Sequence, residues 1–118
     1  MVIKVLVVED EPLVRMLAVD LVEDVGFEAI EACNADEAIS ILNSEHDIRV
    51  LISDINMPGS MDGVQFAAAA RERMPSLEII VVSGKLRLWP EQLPEGSVFL
   101  PKPYDIDRLS ETLVRMAA

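Results

Sequence analysis

Three consecutive acids, Glu9-Asp10-Glu11, follow the apolar stretch Val5-Leu6-Val7-Val8, and a single acid, Asp54, closes a second stretch, Val50-Leu51-Ile52-Ser53. Ser83 ends a third, Ile79-Ile80-Val81-Val82, and Lys102 follows Phe99-Leu100-Pro101. If these stretches are strands of one parallel sheet, the carboxylates, the hydroxyl and the ammonium meet beyond the carboxyl ends of the strands, where open α/β sheets bind ligands. Two carboxylates about 5 Å apart repel by roughly 3 kcal/mol at an effective dielectric near 20, so stability alone does not select three of them. A hard divalent cation removes the penalty: Mg2+ takes one or two carboxylates, waters and a phosphate oxygen. Such an arrangement suits a metal-assisted phosphoryl acceptor. Compensation of a helix dipole would explain acids ahead of a first helix, but it leaves Asp54 and Lys102 without a reason.

The elements that must position these residues are legible as two alternating periodicities. Residues 3–8, 50–52 and 79–82 are short aliphatic runs, apolar on both faces, as expected of central parallel strands covered by helices on each side. Glu28–Ala32 alternates like an edge strand, and Ser97–Leu100 reads as a fifth strand. Between them, Val14, Leu17, Ala18, Leu21, Val22 and Val25 form one helical stripe, with Pro12 in its first turn and Gly26 at its stop. Asn34, with Glu37 three residues on, predicts a capped helix over 35–44. Gly63 to Met74 is an Ala-rich helix ending at Pro75, and Asp105 caps a last helix with the stripe Ile106, Leu109, Leu113 and Met116. Strands alternating with helices imply right-handed crossovers and a doubly wound α/β sheet.

Composition sets bounds. The chain of 118 residues is expected to be one domain, 1–118, with no repeat, linker or output domain. Its net charge of −11 argues against direct binding of nucleic acid, whose phosphates it would repel. No apolar run approaches the ~20 residues that span a bilayer, and no leader precedes the first strand, so a cytoplasmic location is expected. The single cysteine, Cys33, has no internal disulfide partner and is expected to be a small half-buried residue. His46, the one histidine, sits in an acidic loop and is read as solvated rather than as a phosphodonor.

Taken in order over five strands, these residues resemble the receiver domain of two-component response regulators, and the likeness covers nearly the whole chain. The resemblance implies a five-stranded parallel sheet of flavodoxin-like order 2-1-3-4-5 with helices on both faces. It implies Asp54 as phosphoacceptor, taking a phosphoryl group from a histidine kinase or histidine phosphotransfer protein with Mg2+, and losing it by slow self-catalysed hydrolysis. Asp10, Asp54 and the backbone carbonyl of Asn56 would hold the metal directly, and Glu9 through a water. Lys102 and Ser83 would meet the phosphoryl oxygens, and Phe99 would be the switch aromatic that turns inward as the serine moves. Lys102-Pro103 resembles the family's Lys-Pro pair, where the peptide bond is commonly cis. The expected role is a signalling phosphoacceptor rather than an enzyme acting on other molecules. It would serve either as an effector for a downstream protein target or as a phosphate sink and relay.

The chain also departs from the family pattern. Asp54-Ile-Asn-Met-Pro-Gly-Ser-Met-Asp-Gly63 carries one residue more than the usual loop, and Ser83 stands where threonine is commoner. The segment between Ser83 and Lys102 is short and contains Pro90 and Pro94, and a proline inside a helix costs about 3 kcal/mol. The fourth helix, between strands four and five, is therefore expected to be a single turn or irregular, with Leu86, Leu88 and Trp89 reshaping the surface there. Two rivals fit less well. A phosphatase of the haloacid-dehalogenase type needs Asp-x-Asp after strand one, where this chain has Glu9-Asp10-Glu11. A flavodoxin-like mononucleotide binder needs a hydroxyl- and glycine-rich phosphate loop, and there is no Gly-x-x-x-x-Gly-Lys.

Overall fold

A computed structural model of the chain describes residues 2–45, 47–55, 63–84, 93–102 and 105–117. The elements run β1 (Lys4–Val8), α1 (Pro12–Asp24), β2 (Glu28–Ala32), α2 (Ala35–Ser44), β3 (Ile48–Asp54), α3 (Gly63–Arg73), β4 (Glu78–Ser83), β5 (Val98–Pro101) and α4 (Ile106–Ala117). All five strands pair in parallel in the order β2-β1-β3-β4-β5. The doubly wound α/β sheet expected from the sequence is the fold observed.

The aliphatic runs explain the centre of the sheet. Val5 to Val8 of β1, Val50 to Asp54 of β3 and Ile79 to Ser83 of β4 are all buried. Alternate side chains feed two cores, one on each face of the sheet. Leu6, Val8, Leu51, Ile79 and Val81 pack with Ala35, Ala38 and Leu42 of α2 and with Phe66, Ala67 and Ala70 of α3. Val5, Val7, Val50, Ile52, Ile80 and Val82 pack with Ala18, Leu21 and Val22 of α1 and with Leu109 and Leu113 of α4.

The helix ends follow the local signals. Pro12 opens α1, and Gly26 beyond its end adopts φ +92°, a left-handed backbone that side chains disfavour. The Asn34 side chain accepts from Glu37 N at 2.8 Å, and Asp105 Oδ1 accepts from Arg108 N at 3.1 Å. The Glu37 carboxylate accepts from Cys33 N at 3.1 Å, one residue before the cap. Cys33 itself is half-buried.

Three expectations differ from the structure or fall beyond it. β3 starts at Ile48, two residues earlier than the aliphatic run suggests, because Ile48 pairs with Lys4 ahead of a register shift. Leu17 and Ile106, assigned to the helical stripes, are 45% and 55% exposed: both line an open groove between α1 and α4 rather than the closed core. The short fourth helix, together with Leu86, Leu88, Trp89 and Pro90, falls on 85–92, outside the described residues, as do His46, Asn56, Pro103 and the inserted loop after Ile55. Among the described residues, no helix is long and apolar enough to cross a membrane.

Candidate functional site

Parallel pairing brings the singled-out residues to one edge. β1 ends a residue before Glu9, β3 ends on Asp54, β4 ends on Ser83, and Lys102 directly follows β5. Two backbone bonds hold this edge in register: Ile55 N donates to Val82 O at 3.0 Å, and Lys102 N donates to Ser83 O at 3.0 Å. Glu9, Asp54 and Ser83 are buried and Asp10 is half-buried. One carboxylate oxygen from each of Glu9, Asp10 and Asp54 lies within 4.8 Å of the others.

Lys102 reaches into this cluster, donating to Glu9 Oε1 at 2.6 Å and to Asp54 Oδ2 at 3.1 Å. A single ammonium thus spans two strand ends and offsets part of the repulsion among the acids. Burial pushes the Glu9 carboxyl up to about 7 from its ordinary 4.5; the Lys102 bond opposes the rise and the Asp54 charge adds to it. Burial works to lower the Lys102 ammonium, but its bonds to Glu9 and Asp54 outweigh this and hold it above its ordinary 10.5. Among the described residues, no lysine or arginine lies within ion-pair distance of Asp10. The cluster is all hard oxygen, which suits Mg2+ and not the metals that favour thiolate or imidazole.

Ser83 is buried at the edge of the cluster, between β3 and β5. Phe99 lies opposite Val81 on β5 and packs, half-buried, against the core shared with α2 and α3. That placement accounts for Phe99 as packing.

Two contributors escape sequence reasoning. Gly63 opens α3 hard against the end of β3: its N–H donates to Ile55 O at 3.0 Å, and a Cβ there would stand 2.4 Å from Ile55 Cα and 2.7 Å from Asp54 O. Because the clash is with backbone, Gly63→Ala must displace the chain that carries Asp54, at an expected cost of about 2 kcal/mol. Thermal unfolding read beside phosphoryl labelling checks this: both should fall, and a melting temperature equal to wild type would be inconsistent with the close approach. Arg15, the one basic residue of α1, donates to Glu9 O at 2.9 Å and to Glu31 Oε1 at 3.0 Å. A lone arginine on a helix behind an acid cluster was its only sequence signal.

The family model for the response regulator receiver domain matches residues 5–114. The chain belongs to that family. Among curated relatives, this receiver domain is 34% identical over 116 residues to the sensor kinase CckA of Brucella abortus, covering 95% of this chain and 12% of the kinase. It is 31% identical over 117 residues to a putative NtrX-like response regulator of Rickettsia bellii, covering 96% of this chain and 24% of the regulator. The chain thus spans a minor part of the curated relatives it matches. Among solved structures, a response regulator receiver protein from Sinorhizobium medicae superposes with a TM-score of 0.90 at 27% identity, covering 98% of this chain and 94% of that one. The receiver domain of the hybrid histidine kinase CckA superposes at 0.82 with 34% identity, covering 98% and 99%. Receiver domains are signalling modules of two-component phosphorelays, which sets the phosphatase and nucleotide-binder readings aside.

Proposed function

We propose that Asp54 of this receiver domain accepts a phosphoryl group from a histidine kinase or histidine phosphotransfer protein and thereby switches partner binding. The observation that carries this reading is the buried Asp54 carboxylate, ion-paired to Lys102 at 3.1 Å and clustered with Glu9 and Asp10. A carboxylate nucleophile needs no general base; the obstacle is an anion approaching an anion. An Asp54 oxygen forms the bond to phosphorus as the N–P bond of phosphohistidine breaks and the imidazole leaves with the bonding pair. Lys102, paired with Asp54 at 3.1 Å, would neutralise a phosphoryl oxygen, and the Ser83 hydroxyl, at the end of the neighbouring strand, would donate to another. Mg2+, held by Asp10, Asp54 and the Asn56 carbonyl and by Glu9 through a water, would supply the remaining positive charge on the phosphoryl group. The acyl phosphate is then lost by hydrolysis within the same site, and Phe99 follows Ser83 inward while it persists.

The donor must bring its phosphorus to the carboxyl edge, so it covers the surface beside Asp10, where α1 begins. Leu13, Met16 and Leu17 are 79%, 56% and 45% exposed, and their spacing of three and four puts them on one face of that helix. An apolar helical face of the donor fits there. Leu13→Asp with Leu17→Asp is expected to slow transfer from a cognate phosphohistidine protein at least tenfold and to leave labelling by acetyl phosphate unchanged. Equal transfer from the protein donor would place the docking face elsewhere. Profiling phosphotransfer against purified kinases also separates the two roles: an effector gains a binding partner when phosphorylated, while a sink only drains its kinase.

A further inference from the structure

We infer that Arg15 is a positioning residue for the metal site, fixing the peptide from which Asp10 leaves the backbone; this rests on reading Glu9, Asp10 and Asp54 as a Mg2+ site. Glu9 is tied on every side. Its N–H donates to Ala32 O at 3.1 Å, its Oε1 accepts from Lys102, and its Oε2 accepts from Glu11 N at 3.2 Å. The remaining polar atom, the carbonyl oxygen, accepts from Arg15 Nη1 at 2.9 Å. That carbonyl and the Asp10 N–H belong to one planar peptide unit, so holding the oxygen fixes the plane on which the Asp10 Cα is set.

Residues 9–11 lie between β1 and α1, beyond the sheet ladder that would otherwise orient this carbonyl. The guanidinium is itself held: Nε donates to Glu31 Oε1 at 3.0 Å on the edge strand β2, and the Arg15 N–H donates to Glu11 O at 2.9 Å in the first turn of α1. Arg15 therefore braces the acidic loop between the sheet edge and the helix. Its planar fork presents two donors in directions that a single ammonium cannot reproduce. Groups that orient a metal ligand without touching the metal alter affinity about 10- to 100-fold in well-studied sites.

The decisive variant is Arg15→Lys, because charge and geometry then predict opposite results. If Arg15 acted only as a cation near the cluster, the lysine would preserve Mg2+ affinity, and Arg15→Ala would tighten it by relieving repulsion of the ion. If Arg15 positions Asp10, both variants weaken binding. The measurement is the Mg2+ dissociation constant by calorimetry at fixed ionic strength, with the melting temperature of each variant in EDTA. The expected result is a dissociation constant raised about tenfold in Arg15→Lys and at least as far in Arg15→Ala. Unchanged affinity in Arg15→Lys, or tighter binding in Arg15→Ala, would overturn the inference, whatever the melting temperatures do. A purely structural role would lower the melting temperature in EDTA and leave the dissociation constant alone, which overturns it equally. Wild-type protein that binds no Mg2+ would instead remove the metal-site reading itself.

Discussion

Asp54→Asn is expected to abolish incorporation of phosphate from acetyl phosphate, while its thermal unfolding stays cooperative and close to wild type. The amide matches the carboxylate in shape, so the buried position at the end of β3 is still filled. Its oxygen is no longer an anionic nucleophile, and the acyl phosphate cannot form. Removing the charge also relieves repulsion with Glu9 and Asp10, which offsets part of what is lost when the Lys102 bond weakens. Beryllofluoride, a stable mimic of the acyl phosphate, should bind wild-type protein with Mg2+ and fail to bind Asp54→Asn. Lys102→Ala is the complementary case. It removes the cation that, among the described residues, reaches both Glu9 and Asp54, and should cost signalling more than folding. Mass spectrometry decides the matter directly: a phosphoryl group found on Ser53 or Ser83 would remove Asp54 as the nucleophile.

Much of this site was legible because its residues are punctuation marks. Asp54 and Ser83 each end an aliphatic run, Glu9 and Asp10 follow one, and a parallel sheet sends every such end to the same edge. The caps were legible for the same local reason: Asn34, Asp105 and Gly26 act on backbone groups within a few residues. Strand order was not, since hydrophobic periodicity says that a strand is central without saying which strand lies beside it; the order came from the family resemblance. The bond between Lys102 and Glu9 joins residues far apart in sequence, and β1 and β5 are not even neighbours in the sheet. Nothing local encodes it. Gly63 escaped notice because its constraint is a backbone approach to Ile55 made by the returning chain. Leu17 and Ile106 show the converse limit: an apolar stripe records what a helix can bury, and a residue within it can line an open groove instead.

Millimolar Mg2+ is expected to raise the melting temperature, and the size of the rise should depend on pH through Glu9. Binding to the folded state alone stabilises it by RT ln(1 + [L]/Kd), about 1.4 kcal/mol at ten times Kd, or several degrees for a domain of this size. Asp10→Asn should remove that rise and stabilise the metal-free protein, because Lys102 compensates Glu9 and Asp54 but does not reach Asp10. The pH dependence follows from the raised Glu9 carboxyl. In the unfolded chain Glu9 loses its proton near 4.5, and in the metal-free fold near 7. Between those values the fold binds the extra proton, so the stability of the metal-free protein falls as pH rises through the window, by on the order of 3 kcal/mol. Below the window Glu9 is protonated in both states and contributes no slope. A bound Mg2+ favours the ionised carboxylate, so its affinity should climb with pH up to about 7 and then level off. Comparison with Glu9→Gln isolates the contribution of this one carboxyl. The variant should show a flatter stability profile between pH 5 and 7.5 in EDTA and a smaller change in Mg2+-induced stabilisation over the same range. Parallel profiles for wild type and Glu9→Gln would mean that Glu9 ionises normally, and that Lys102 outweighs burial in setting the charge of the site.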